Sequence, residues 1–209
     1  MDDKEFIYKI VILDITSSGK TSLINRYINN EYDDKVESTF SPSILEKDLT
    51  LNNRKEIKLQ LLDTIGRERF ISVNKIFIKG AKGLIFLYDI SKRRSLDDAK
   101  YYFYNIKQEI SDDVVIVLVG NHLDIDYEND EDYGHREITR EEGQNFANEN
   151  NLLFYEVSAK NWTNVNEFFD ELIQRIYENS PNEENDNRIL NENNINLRNN
   201  RPAKRGCLK

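Results

Sequence analysis

The chain has 209 residues, enough for one domain with a core on both faces of a sheet and some chain left over. Its formal net charge of −9 argues against a general nucleic-acid-binding surface, and no nucleic-acid partner is expected. The single cysteine, Cys207, excludes an internal disulfide framework and a cysteine-built zinc site, and fits a reducing compartment.

The opening MDDKEFIYKIV is acidic and runs directly into a strand pattern, so no secretion signal is expected. Tyr8 to Leu13 (YKIVIL) is short, apolar and rich in β-branched residues, the pattern of a strand buried on both faces. A helical pattern follows over Thr21 to Asn29. Ser43 to Asp63 (SILEKDLTLNNRKEIKLQLLD) alternates in polarity, and a turn at Asn52 and Asn53 divides it into an antiparallel hairpin. Lys82 to Ile90 (KGLIFLYDI), Val114 to Gly120 (VVIVLVG) and Leu152 to Val157 (LLFYEV) repeat the buried-strand pattern, giving the middle of a parallel sheet. Helices are expected over Leu96 to Ile110, Thr139 to Asn148 and Asn164 to Tyr177. In the last, Val165, Phe168, Phe169, Leu172, Ile173 and Ile176 recur at three- and four-residue steps, and Asn164 and Glu167 are spaced as an N-terminal cap. The sum is an α/β, doubly wound domain over residues 1–177. Glu178 to Lys209 is Asn-rich with no sustained apolar periodicity and is read as a flexible tail. No stretch approaches the roughly 20 apolar residues that span a bilayer.

Chemistry concentrates where these strands end. In DITSSGKT, Gly19, Lys20 and Thr21 sit between a strand and a helix: the lysine can reach terminal phosphates, the hydroxyl can ligate Mg²⁺, and the helix start offers unpaired N–H groups to an anion. Alone, GKT is as readily an ordinary helix start. Asp63 closes the next strand and is spaced with Gly66 as D-x-x-G, a carboxylate that can hold Mg²⁺ through water and an amide that can meet a phosphate; alone it is a turn. GNHLD, with Asn121, His122 and Asp124, and SAK, with Ser158, Ala159 and Lys160, close two more strands. Asp124 can accept two hydrogen bonds from a base with neighbouring N–H donors, which guanine has and adenine lacks. Either motif alone reads as a polar loop. Together, four such loops at strand C-terminal ends lie where open α/β sheets bind ligands.

On these residues the chain resembles a small GTPase, and most closely the Rab branch. The likeness runs from about Phe6 to Tyr177 through DITSSGKTSLINRYINNEY, KEIKLQLLDTIGRERF, GAKGLIFLYDISKRRSLDDAKYY, IVLVGNHLD and REITREEGQNFANENNLLFYEVSAKNWTNVNEFF. The resemblance implies a six-stranded, mostly parallel sheet with one antiparallel edge hairpin and five helices on its two faces, GTP or GDP bound with Mg²⁺, GTP hydrolysis, and a role as a switch in vesicle and membrane traffic. It implies nucleotide contacts from Asp14, Ile15, Thr16, Ser17, Ser18, Gly19, Lys20, Thr21 and Ser22, from Thr39, Asp63 and Gly66, and from Asn121, His122, Asp124, Ser158, Ala159 and Lys160. Thr39 joins Thr21 on Mg²⁺, with Asp63 acting through water. An effector stretch would comprise Glu37, Ser38, Thr39, Phe40, Ser41, Pro42, Ser43, Ile44 and Leu45. Exchange factors, GTPase-activating proteins and effectors are the partners implied, none identifiable by name.

Several positions depart from that pattern. The family loop reads G-x-x-x-x-G-K-[ST], and here Asp14 replaces its first glycine and Ser17 an internal one. An Asp14 carboxylate facing the phosphates would weaken binding without abolishing it; alternatively it points away or pairs with Lys20. Ile65 replaces a small residue, and Arg67 stands where a glutamine orients the attacking water; guanidinium has donors only, so slow hydrolysis is expected. His122 replaces the lysine of N-K-x-D, Leu62 stands where an interface tryptophan is customary, and DYENDEDYGHREIT reads as a longer, acidic insertion. A scaffold that keeps the fold without using nucleotide, and a P-loop phosphotransferase, are the competing readings. The last twelve residues carry Arg198, Arg201, Lys204, Arg205 and Lys209 with no acidic residue. Beside them, the resemblance implies a prenylated Cys207 that anchors the chain to the cytoplasmic face of membranes and leaves a cytosolic pool, although a lone cysteine third from the end matches neither usual prenylation pattern and a solvated basic tail is the alternative.

Overall fold

Hydrophobic alternation along β1 (Phe6–Leu13) sends Ile10 and Ile12 to one face of a sheet and Val11 and Leu13 to the other, all four essentially inaccessible to water. The computed structural model describes residues 6–14, 18–33, 41–51, 55–64, 76–126 and 135–180. Five further strands complete the sheet: β2 (Ser43–Thr50), β3 (Glu56–Asp63), β4 (Gly83–Asp89), β5 (Val115–Asn121) and β6 (Leu153–Glu156), in the order β2-β3-β1-β4-β5-β6. All pairings are parallel except β2 with β3, the expected edge hairpin.

The helices are α1 (Lys20–Asn29), α2 (Arg93–Ile106), α3 (Arg140–Glu149) and α4 (Val165–Glu178). On one face α1 and α4 cover Ile10, Ile12, Leu59, Ile85 and Val117, with Tyr27 of α1 stacked on Phe169 of α4 at 3.8 Å between ring centres. On the other, α2 and α3 cover Val11, Leu13, Phe86, Tyr88 and Leu118. Of the five helices implied, these four are described in full; Ile76–Ile78 are helical, and 65–75 lie outside the described residues.

Three local expectations are corrected. β6 is the last strand of the sheet order, with Leu153, Phe154 and Tyr155 only partly buried, because among the described residues no strand pairs beyond it. Asn164 does not cap α4: its backbone is left-handed (φ 58°) and its amide donates instead to the Glu156 carbonyl at 2.8 Å. The capping box lies on α3, where Glu142 N donates to the Thr139 hydroxyl and Thr139 N to the Glu142 carboxylate. The helix expected from Leu96 starts at Arg93, since the Ser95 hydroxyl accepts from Asp89 N and shares its one proton between the carbonyls of Asp89 and Lys92, holding the turn into it, and its end at Lys107–Glu109 tightens to a 3-10 turn.

Register decides where the chemistry falls. Ile12 lies opposite Asp63, Asp89 opposite Asn121, and Gly120 opposite Glu156, so β3, β4, β5 and β6 all deliver their last residues to one sheet edge.

At the junction of α1, β2 and α4, half-buried Asp170 faces Lys47 and Glu167. Burial, reinforced by Glu167 and opposed by Lys47, pushes its carboxyl up to about 6. The folded state therefore holds this proton more tightly than the unfolded state, so the contribution is most favourable below the ordinary carboxylate range and is lost as pH rises through 6. Asp170→Asn is expected to raise unfolding free energy by about 1 kcal/mol at pH 7.5 and by nothing measurable at pH 4, read from urea unfolding at both values.

Candidate functional site

The junction between β1 and α1 turns on Gly19, whose backbone is left-handed (φ 83°). Glycine is required there twice over: positive φ is costly for other residues, and a Cβ would stand 2.5 Å from the Asn121 side-chain nitrogen. Asp14, which follows β1, is buried. Its carboxylate accepts from the Lys20 ammonium and, at 3.0 Å, from the Ser18 backbone N–H. Of the alternatives open for Asp14, the structure selects pairing with Lys20. Burial pushes the Asp14 carboxyl above the usual carboxylate range, and the charge and hydrogen bonds of Lys20 only partly offset it.

One residue on, the Thr21 hydroxyl donates to Asp63 Oδ2 at 2.6 Å. Thr64 secures that strand end by donating to the Ile12 carbonyl at 2.7 Å. Lysine, amide, hydroxyl and carboxylate are thus gathered where β1 meets α1 and β3, a donor and acceptor set suited to an anion and a hard cation. Ser22 continues the first turn of α1.

A second group meets this one through Asn121 at the end of β5. Its Nδ2 donates to the Ser18 carbonyl at 2.9 Å, and its Oδ1 accepts from Ala159 N at 3.3 Å. Asp124 lies in the 3-10 turn Leu123–Asp126 and accepts from the Ser158 hydroxyl at 2.6 Å, while the same hydroxyl accepts from Asn161 N at 2.9 Å. The loops GNHLD and SAK are therefore one unit, joined to the first loop by a buried amide.

His122 has a left-handed backbone (φ 72°), and its Nε2 lies 3.8 Å from Asp89 Oδ2. Lys92 Nζ reaches the same oxygen at 2.7 Å, and Ser91 donates twice to Oδ1. Burial alone would raise the Asp89 carboxyl; His122, Lys92 and Ser91 outweigh it and hold the group below its ordinary range. Asp89 was not among the expected site residues, although it ends a strand on the same edge as Asp63. Arg26 was missed too. It donates to the carbonyls of Ala159 at 2.6 Å and Lys160 at 2.8 Å, and lies over the Tyr32 and Trp162 rings. Nothing in its place on α1 signals partners more than 130 residues away.

Leu62 is buried against the α2 side of the sheet, unlike a contact residue, whereas Ile44 of the expected effector stretch is 58% exposed. Ser41 and Pro42 lead into β2, which carries Ser43, Ile44 and Leu45. Ile15, Thr16, Ser17, Glu37, Ser38, Thr39, Phe40, Ile65, Gly66, Arg67 and Cys207 lie outside the described residues. Among the described residues, no cluster of three or more His, Cys, Asp or Glu side chains could hold a metal, and no helix is long and apolar enough to cross a membrane.

Residues 9–178 match the sequence profile of the Ras family. The chain is similar to Ras-related protein Rab-11C of Dictyostelium discoideum, with 34% identity over 84% of this chain and 75% of that protein. It is 32% identical to GTP-binding protein ypt3 of Schizosaccharomyces pombe over 84% of this chain and 78% of the other. Human Ras-related protein Rab-12 is 35% identical, over 85% of this chain and 70% of its own length. With the sheet order, the strand-end loops and these likenesses in agreement, the chain belongs to the Ras family of small GTPases, in its Rab branch.

Proposed function

We propose that this Rab-family chain is a guanine-nucleotide switch: it binds GTP or GDP with Mg²⁺, hydrolyses GTP slowly and regulates vesicle and membrane traffic. The observation that carries the proposal is the Asn121 bridge, which joins the loop of Lys20 and Thr21 to the loops of Asp124 and Ser158 on one sheet edge. In this reading Lys20 and the amides of Ser18 to Thr21 hold the phosphates. Asp124, steadied by Ser158, accepts two hydrogen bonds from guanine. The printed name of ypt3 describes that relative as GTP-binding, which supports the same ligand here.

The residues fit Mg²⁺ as well. One hydroxyl and one carboxylate in contact suit an ion that keeps several waters and takes its other ligands from phosphate oxygens. Thr21 and Thr39 would bind it directly and Asp63 through water. When bound, the ion neutralises phosphate charge. Arg67 has no acceptor with which to orient water, the chemical ground for slow turnover. The exposed start of β2 supports an effector face from Glu37 to Leu45. The basic segment beside Cys207 supports a lipid-anchored, cytoplasmic-face location.

Natively purified protein, heat-denatured and chromatographed, is expected to release GDP or GTP. No nucleotide in that eluate, with no uptake of added GDP, would favour instead a nucleotide-independent scaffold, a reading to which the Asp14 to Lys20 contact lends support. In single-turnover assays of GTP-loaded protein, Arg67→Gln is expected to speed phosphate release roughly tenfold or more. An unchanged rate would show that Arg67 is not what limits hydrolysis.

A further inference from the structure

Arg136 lies near the end of the acidic stretch DYENDEDYGHREIT and is none of the expected site residues, yet its guanidinium is fully engaged. Nε and Nη2 donate to the two oxygens of Asp126 at 2.9 and 2.6 Å. Nη1 and Nη2 donate to the two oxygens of Glu156 at 2.7 and 3.1 Å. Nη1 also donates to the Ile138 carbonyl at 2.9 Å. All five N–H donors of the group therefore have acceptors, an arrangement that the compact ammonium of lysine cannot copy.

The two carboxylates belong to different parts of the site. Asp126 ends the 3-10 turn that contains Asp124, two residues before it. Glu156 ends β6, two residues before Ser158. Glu156 is almost wholly buried, with Arg140 as a more distant second cation at 3.7 Å. Backbone hydrogen bonding joins the same loops at Leu123 N to the Val157 carbonyl, 3.0 Å, and the Ser158 hydroxyl joins them at Asp124. Those two links lie at the start and middle of the turn. Without a third at Asp126, the turn could pivot about them and carry the Asp124 carboxylate with it.

We infer that Arg136 is a positioning residue for base selection, holding the Asp124 turn against the end of β6 so that its carboxylate meets the guanine edge in one place. The inference rests on the guanine reading of the site. Because it acts through the Asp124 carboxylate, Arg136 affects the contact with the exocyclic amine of the base more than the hold on the phosphates. Inosine nucleotides lack that amine and keep the rest of the base.

The experiment compares affinities for GDP and IDP, by displacement of a fluorescent GDP, in the full-length wild type, Arg136→Lys and the double variant Arg136→Met with Glu156→Gln. The double variant leaves no uncompensated buried carboxylate, and so keeps the fold where Arg136→Met alone could lose it. The wild type is expected to prefer GDP. In both variants GDP affinity falls most, because GDP gives Asp124 two hydrogen bonds, and IDP affinity falls less, because IDP gives only the ring N1–H; the preference therefore drops roughly tenfold, on the scale of one charge-assisted hydrogen bond. A preserved preference, or equal loss of both affinities, overturns the inference and leaves Arg136 a purely structural residue. A wild type that binds GDP and IDP equally overturns the guanine reading itself, and one that binds neither overturns nucleotide binding; each takes this inference with it.

Discussion

Replacing Asp14 with glycine is expected to raise affinity for GDP by about two powers of ten. Asp14 occupies the two donors that a phosphate would use, the Lys20 ammonium and the Ser18 amide, and it adds a negative charge beside them. Two unit charges about 6 Å apart at an effective dielectric near 20 repel by about 3 kcal/mol, which is roughly a hundredfold in a dissociation constant. The same change has an opposite effect on the protein without nucleotide. Lys20 is only 6% exposed, and losing its carboxylate leaves a buried cation unpaired, a cost of about 3 kcal/mol in unfolding free energy. Titration with fluorescent GDP and urea unfolding with and without saturating GDP measure both effects. Unchanged GDP affinity in Asp14→Gly would mean that the carboxylate does not compete with the phosphates.

Gly19→Ala carries the second large effect, in the opposite sense for binding. The left-handed backbone at Gly19 costs an alanine about 1 to 2 kcal/mol. Its Cβ would also displace the Asn121 amide, giving up hydrogen bonds to the Ser18 carbonyl and from Ala159 N, each of which contributes about 1 kcal/mol. Together the loss is about 3 kcal/mol in unfolding free energy, seen as a lower urea midpoint at constant slope. Nucleotide affinity falls with it, because the first loop and the base-reading loops lose their link. Gly80→Ala is the control: its φ is 75°, but a Cβ there meets nothing within 4 Å, so only the backbone cost of about 1 to 2 kcal/mol remains. Equal destabilisation by the two changes would exclude the Asn121 clash as a contributor.

Much of this molecule is legible in its sequence. Runs such as VVIVLVG and the alternating hairpin arms report burial directly, so strand identity and the edge hairpin follow from composition and period. Element ends were less legible where a side chain rather than a period sets them, as with Ser95 at the start of α2 and Asn164 turning away from its cap position. Motifs close in sequence placed Lys20, Thr21, Asp63, Asn121 and Asp124 on one edge, because parallel strands end together. The direction of the Asp14 side chain was not legible, since no local spacing says whether a carboxylate there turns to Lys20 or away from it. Arg26, Asp89 and Arg136 act on partners brought near only by the sheet order, and no local spacing marks them.

The contact between Asp14 and Lys20 bears finally on biogenesis. A cation already neutralised from within needs no external anion to be tolerated in the interior, so the newly made chain can reach its native packing whatever the cellular guanine pool. Mass-action stabilisation by a ligand shrinks as its affinity falls. The steady-state amount of this protein is therefore expected to follow its rate of synthesis, and to stay level when cells are starved of purines.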